Sequence, residues 1–176
     1  MRFSSIAAIT CAMASATSAA PLPSPITPAS DGGLQCYAPK PTTKSCQSLA
    51  EYKFGPDGAI VNSATVLLSA APPITMRAVT PVTIKANQVC GYIRPEDIEA
   101  ATFAIGGNPA TEGQTDLLRQ KIALAQKSVF GHEICTAYVN DGDALVAKAS
   151  VDGVAQPAMD QKVIWVSPED GFKVQP

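Results

Sequence analysis

A histidine followed by a glutamate opens the helical H-E-x-x-H pattern, in which two imidazoles one turn apart hold zinc and the glutamate is the general base. His132-Glu133 has that opening, but Thr136 stands where the second imidazole must be, and His132 is the sole histidine of the chain. No metal site is therefore expected. The same imidazole is the one a serine-type triad would have to use, and no G-x-S-x-G turn presents a nucleophile to it. Asn140, Asp141 and Asp143 carry oxygens suited to a hard cation, yet no glutamate follows at calcium-loop spacing. Asn, Asp and Gly together are also what a tight turn demands, and that reading is preferred. His132, Asp141 and Asp143 stand as the candidate catalytic groups, each with a structural explanation beside it. Neither glycine-rich phosphate-binding fingerprint is present, so no cofactor is expected. Trp165 is the candidate binding residue, because tryptophan is enriched among interface anchors. Its neighbours Val163, Ile164 and Val166 make the run apolar on both strand faces, which favours a place in the core.

The cysteines carry a different chemistry. Beyond Cys11, which falls in the N-terminal apolar run, Cys36, Cys46, Cys90 and Cys135 form an even set with no C-x-x-C among them, the pattern of a disulfide framework rather than a redox or zinc motif. Cys36 and Cys46 bracket a loop with Pro and Lys; Cys90 and Cys135 sit in strand-like sequence on either side of the helical part of the chain. Pairing 36 with 46 and 90 with 135 is preferred over the two other connectivities.

Such bonds need an oxidising compartment, and the first residues fit export. Arg2 is followed by an apolar run to Ala14 and small residues to Ala20, the layout of a secretory signal peptide over 1–19. Residues 20–35, with Pro21, Pro23, Pro25 and Pro28, are expected to be a flexible tail, and 36–176 a single domain.

Within 36–176, Ala50, Tyr52 and Phe54 alternate with charged residues, Ala59 to Ser69 is rich in β-branched and apolar residues, and Met76 to Lys85 alternates again. Val89 to Ile93 completes a first meander. Pro95 with three acids behind it, stopped at Gly106-Gly107, reads as a short helix. Leu118, Ile122, Ala125 and Val129 define a longer one capped by Thr115 and ended by Gly131. A second meander runs through His132 to Val139, Ala144 to Val151 and Val163 to Val166. The order predicts an α+β fold: an antiparallel sheet of two meanders, with two intervening helices packed on one face and disulfides holding it together.

With 13 basic and 15 acidic residues, a net charge of -2 and no Lys/Arg cluster, the chain has no field for collecting phosphates, so nucleic acid is not an expected partner. No apolar stretch reaches the roughly 20 residues of a membrane span, and a protein partner is the remaining candidate. The expected product is an exported, periplasmic or secreted disulfide-bonded domain, non-catalytic and acting by binding or as an envelope component. Two alternatives stand beside it. One is an exported hydrolase using carboxylates or His132, and the other a secreted factor directed at another organism's proteins.

Overall fold

A computed structural model describes residues 24–176, so the signal sequence expected over 1–19 lies outside the described residues. In chain order the elements are β1 (Leu34–Tyr37), β2 (Ser45–Cys46), β3 (Ser48–Phe54), β4 (Ile60–Ala70), β5 (Pro73–Lys85), β6 (Gln88–Tyr92) and helix α1 (Pro95–Glu99). There follow β7 (Thr102–Ile105), β8 (Asn108–Pro109), helix α2 (Glu112–Gln126), β9 (Glu133–Asp141), β10 (Ala144–Val151), β11 (Val154–Ala155), β12 (Gln161–Val166) and β13 (Lys173–Val174).

The two meanders exist, but they do not form an open sheet beneath helices. Strands account for 51% of the chain, and eight of them close into an antiparallel barrel with one substantial helix. The circuit runs β1-β3-β4-β5-β6-β9-β10-β12 and back to β1. The expected α+β sheet with helices on one face is thus corrected to a barrel, and the physical reason lies in β1. Its four residues straddle the end of the segment 20–35 expected as a tail, yet they pair with β3 on one side and β12 on the other. That double pairing removes both edges that an open sheet would leave to aggregate.

The chain before β1 is also built in. Thr27–Asp31 forms a turn of 3-10 helix, and Ile26 is fully buried against Ala29, Tyr52 and Val89, with Trp165 packed alongside. From Ser24 onward, therefore, the proline-rich segment plugs one end of the barrel instead of trailing from it. Gly33 permits the close approach: a Cβ there would lie 2.7 Å from the Pro28 carbonyl oxygen and 3.3 Å from the Trp165 ring.

On the outer wall, Cys36, Cys46 and Val166 are buried with Leu49, Ile164 and Phe172 beneath a flap made by the parallel pair β2 and β13. The Cys36–Cys46 disulfide fastens this flap, and Cys90–Cys135 bridges β6 to β9 directly across the ladder. Both expected pairings are present. Such bonds are more typical of extracytoplasmic proteins.

The helices are peripheral. α2 starts on a capping box in which Thr111, not Thr115, accepts from the Gln114 amide. Leu118 and Ile122 pack on Met76, Ala101 and Phe103, an extension of β5 and β7 beyond the barrel, and no residue of α2 is fully buried. α1 ends at Glu99, and the Gly106-Gly107 pair expected to stop it is instead the hairpin turn between β7 and β8. Among the described residues, no helix is long and apolar enough to cross a membrane.

Candidate functional site

Residues directly opposite one another in neighbouring strands share a face of the sheet, so the register shows what lines the barrel. Gln35 faces Ala50 and Trp165; Tyr52 faces Asn62, and Asn62 faces Thr80. Val82 faces Gly91, Gly91 faces Ile134, Val89 faces Thr136, and Tyr138 faces Ala147. Apart from Gly91, which has none, all of these residues point their side chains inward.

They do not fill the interior. A cavity of about 300 Å³ lies among Tyr37, Tyr52, Tyr138, Thr136 and the apolar side chains of Val82, Val89, Ile134 and Met159. Gly91 leaves a bare patch of this wall, where a Cβ would come within 3.2 Å of Val82 Cγ1. A neighbouring chamber of about 260 Å³ is shared through Tyr37 and Asn62 and is lined by Gln47, Ser48, Ala50 and Gln161. An eight-stranded barrel is near the size at which the interior either packs solid or holds one small molecule.

One side of the cavity is polar for a specific reason. A tyrosine on the core face of a strand must bring its hydroxyl to a partner. Here three do so at one point: the hydroxyls of Tyr37, Tyr52 and Tyr138 lie 3.0, 2.9 and 3.1 Å from Gln35 Oε1. The Tyr37 and Tyr138 hydroxyls are also 2.8 Å apart, and those of Tyr52 and Tyr138 3.3 Å. Gln35 itself is wholly buried behind the phenols, and its Nε2 has no hydrogen-bond partner.

Burial, reinforced by the neighbouring Tyr138 phenol, pushes Tyr37 and Tyr52 well above the usual value of 10.0. These groups are therefore neutral hydrogen-bonding partners and do not supply a phenolate base. Because their folded pKa is raised, the stability they contribute is complete below the unfolded value of about 10 and is lost as pH rises beyond it. The expected result is that phenolate absorbance of the two appears together with loss of β-sheet circular dichroism in an alkaline titration. Ionisation of both in a still-folded barrel would contradict their burial.

The residues singled out from the sequence lie elsewhere. His132 Nδ1 is 2.5 Å from Asp152 Oδ2, on the surface at the start of β9, and Asp152 Oδ1 accepts from the Glu133 amide at 2.9 Å. Asp152 is held below its usual range by the His132 hydrogen bond first and the Glu133 amide second. Among the described residues, no hydroxyl or thiol is hydrogen-bonded to His132. Asp141 and Asp143 sit in the β9–β10 turn, at the opposite end of a nine-residue strand. At about 3.4 Å per residue that separation approaches 30 Å, so His132 cannot act with either carboxylate. Asp143 and Trp165 border a hollow of about 310 Å³ beside the β9–β10 turn, and Trp165 otherwise packs against the plug. Cys90, Glu133 and Cys135 bring ligand-type atoms together, but the two sulfurs are bonded to each other.

The lumen group of Gln35, Tyr37, Tyr52, Asn62 and Tyr138 was not singled out from the sequence. The available signal was the placement of Tyr52 and Tyr138 on the apolar face of alternating strands, each with a hydroxyl to satisfy. No protein-family model matches the chain, and comparison with curated proteins and with solved structures finds no match.

Proposed function

We propose that this is an exported, non-catalytic binding protein that holds one small molecule in the lumen of its barrel. The observation that carries the reading is the cavity. Its size falls at the lower end of the 300–1,000 Å³ range of small-ligand sites, its walls are mainly apolar, and a few polar groups converge at one side. The outer wall carries Glu51, Arg77, Lys85, Glu133 and Lys148, charges that a lipid-facing barrel wall would exclude, which supports a protein working in water.

The test is an equilibrium titration with N-phenyl-1-naphthylamine, a neutral probe whose emission rises in apolar surroundings. Saturable binding of one probe per chain is expected, and His132→Ala should leave it unchanged because that side chain is on the outer surface. Absence of saturable binding would sink the lumen reading, and loss of binding in a folded His132→Ala protein would move the site to the His132–Asp152 pair.

Export has its own support in the disulfides and in the order of charge, apolar run and small residues at the N-terminus. N-terminal sequencing of protein recovered outside the cytoplasm is expected to begin between Thr17 and Pro21. Recovery of an intact Met1 chain solely from the cytoplasm would overturn it.

A further inference from the structure

The hydrogens of the tyrosine cluster can be counted. Three phenols own three hydroxyl hydrogens, and the carbonyl oxygen of Gln35 has two lone pairs to receive them. Two hydrogens are therefore committed to Gln35, and the third to the phenol oxygen across the 2.8 Å Tyr37–Tyr138 contact. None is left over for the cavity. What the phenols turn toward the lumen is oxygen lone pairs, a surface that accepts hydrogen bonds and cannot donate them. The remaining walls constrain the ligand further. Among the described residues, no Asp, Glu, Lys, Arg or His lines either chamber, so a charged ligand would lose its hydration with no counterion to meet it. Val82, Val89, Ile93, Ile134 and Met159 offer apolar contact to the rest of the molecule.

We infer that the ligand is an uncharged molecule with an apolar, ring-sized body and a hydrogen-bond-donating head, an alcohol, phenol or N–H group, seated on the oxygens of Tyr37, Tyr52 and Tyr138. This rests on the lumen reading, and the closing experiment separates the two. N-phenyl-1-naphthylamine is displaced at pH 7 by three molecules that share one ring system: 2-naphthol, whose hydroxyl donates; 2-methoxynaphthalene, which only accepts; and 2-naphthoate, which is charged. The expected order is naphthol at least about 10-fold tighter than the ether, with no displacement by naphthoate. In Gln35→Leu the acceptor behind the phenols is gone and their hydrogens are released toward the lumen, so the preference for naphthol over the ether should shrink or reverse. Retained probe binding and circular dichroism establish that this variant is folded. If it does not fold, Tyr138→Phe removes one oxygen from the accepting surface and should weaken naphthol while leaving the ether unchanged. An ether as tight as naphthol in the wild-type protein would overturn the donating head and leave the lumen site standing. Tightest binding by naphthoate would overturn the uncharged ligand, and no binding of the parent probe would overturn the lumen reading beneath both.

Discussion

Thr136→Phe should weaken binding of the neutral probe at least about 100-fold, or ~2.7 kcal/mol, while leaving the barrel folded. Thr136 lies in the middle of β9, faces Val89 across the β6 ladder, and lines the cavity with its side chain half-buried. A benzyl group at that position has one direction in which to go, the lumen, and a cavity of about 300 Å³ cannot hold both the ring and a naphthalene-sized guest. Folding should survive. Phe is at home in a strand, and the ring enters space that is empty instead of forcing apart packed neighbours, which is the usual cost of overpacking. The control is Thr83→Phe. Thr83 pairs with Cys90 on the outer face of β5, so the same ring is added outside the lumen, and binding should be unchanged. Equal binding by wild type and Thr136→Phe would place the probe outside the barrel. Equal loss in both variants would show that the effect is on the fold.

Much of the wall was legible in the sequence. The alternation around Ala50, Tyr52 and Phe54, the β-branched run now in β4, the run in β5, and the strands on either side of Asp141 all fall within barrel strands. Period-two patterning reports which residues share a face, and here it did so correctly. It does not report whether that face turns toward a flat sheet's helical cover or toward the axis of a closed barrel, because both bury the same side chains. Deciding between them requires the pairings β1–β3, β12–β1 and β6–β9, each between strands distant in sequence. The most decisive strand, β1, holds four residues, too short for a periodicity to register, and follows a proline-rich stretch whose composition suggests a tail. Turn chemistry was similarly partial. Asp152-Gly153 forms a two-residue hairpin turn with positive φ at both positions, as the Asp-Gly rule anticipates, whereas Ala86-Asn87 makes another such turn without that signature.

The candidate site was less legible than the fold, for a related reason. Sequence motifs favour residues close together along the chain, such as His132-Glu133 or Asp141 to Asp143. The lumen cluster draws one residue or two from each of β1, β3, β4 and β9, and its members become neighbours through closure alone. Gln35 and Tyr37 flank Cys36, whose pairing is the local signal there, and no local pattern marks a glutamine as the centre of a cluster of phenols. The disulfides, by contrast, were readable because the four cysteines that follow residue 19 form an even set with three possible pairings.

Replacing Cys90 and Cys135 together by alanine should cost about 4 kcal/mol of stability, the chain-entropy value for the separation of 45 residues that the bond closes. That is a large part of the 5–15 kcal/mol by which domains are typically stable, and for a chain of this size it corresponds to a fall in Tm of roughly 8–16 °C. The bond has this leverage because of what it encloses. Between the two cysteines lie α1, β7, β8 and α2, a segment that packs peripherally and contributes no strand to the barrel circuit, so without the bond β6 must find β9 by closing a long excursion unaided. The β6–β9 ladder is also the single direct pairing between the first meander and the second, apart from closure through β1. Removing Cys36 and Cys46 should cost less, about 3 kcal/mol for a separation of 10, and should loosen chiefly the β2–β13 flap on the outer wall. Guanidinium titrations of the two double variants measure both. Probe binding by the still-folded Cys90→Ala, Cys135→Ala protein should be retained, since neither sulfur faces the lumen, but it should disappear at a lower denaturant concentration than in the wild type. A larger loss from the short-loop pair than from the long-loop pair would show that packing of the flap, and not the entropy of joining the two meanders, dominates the stability of the barrel.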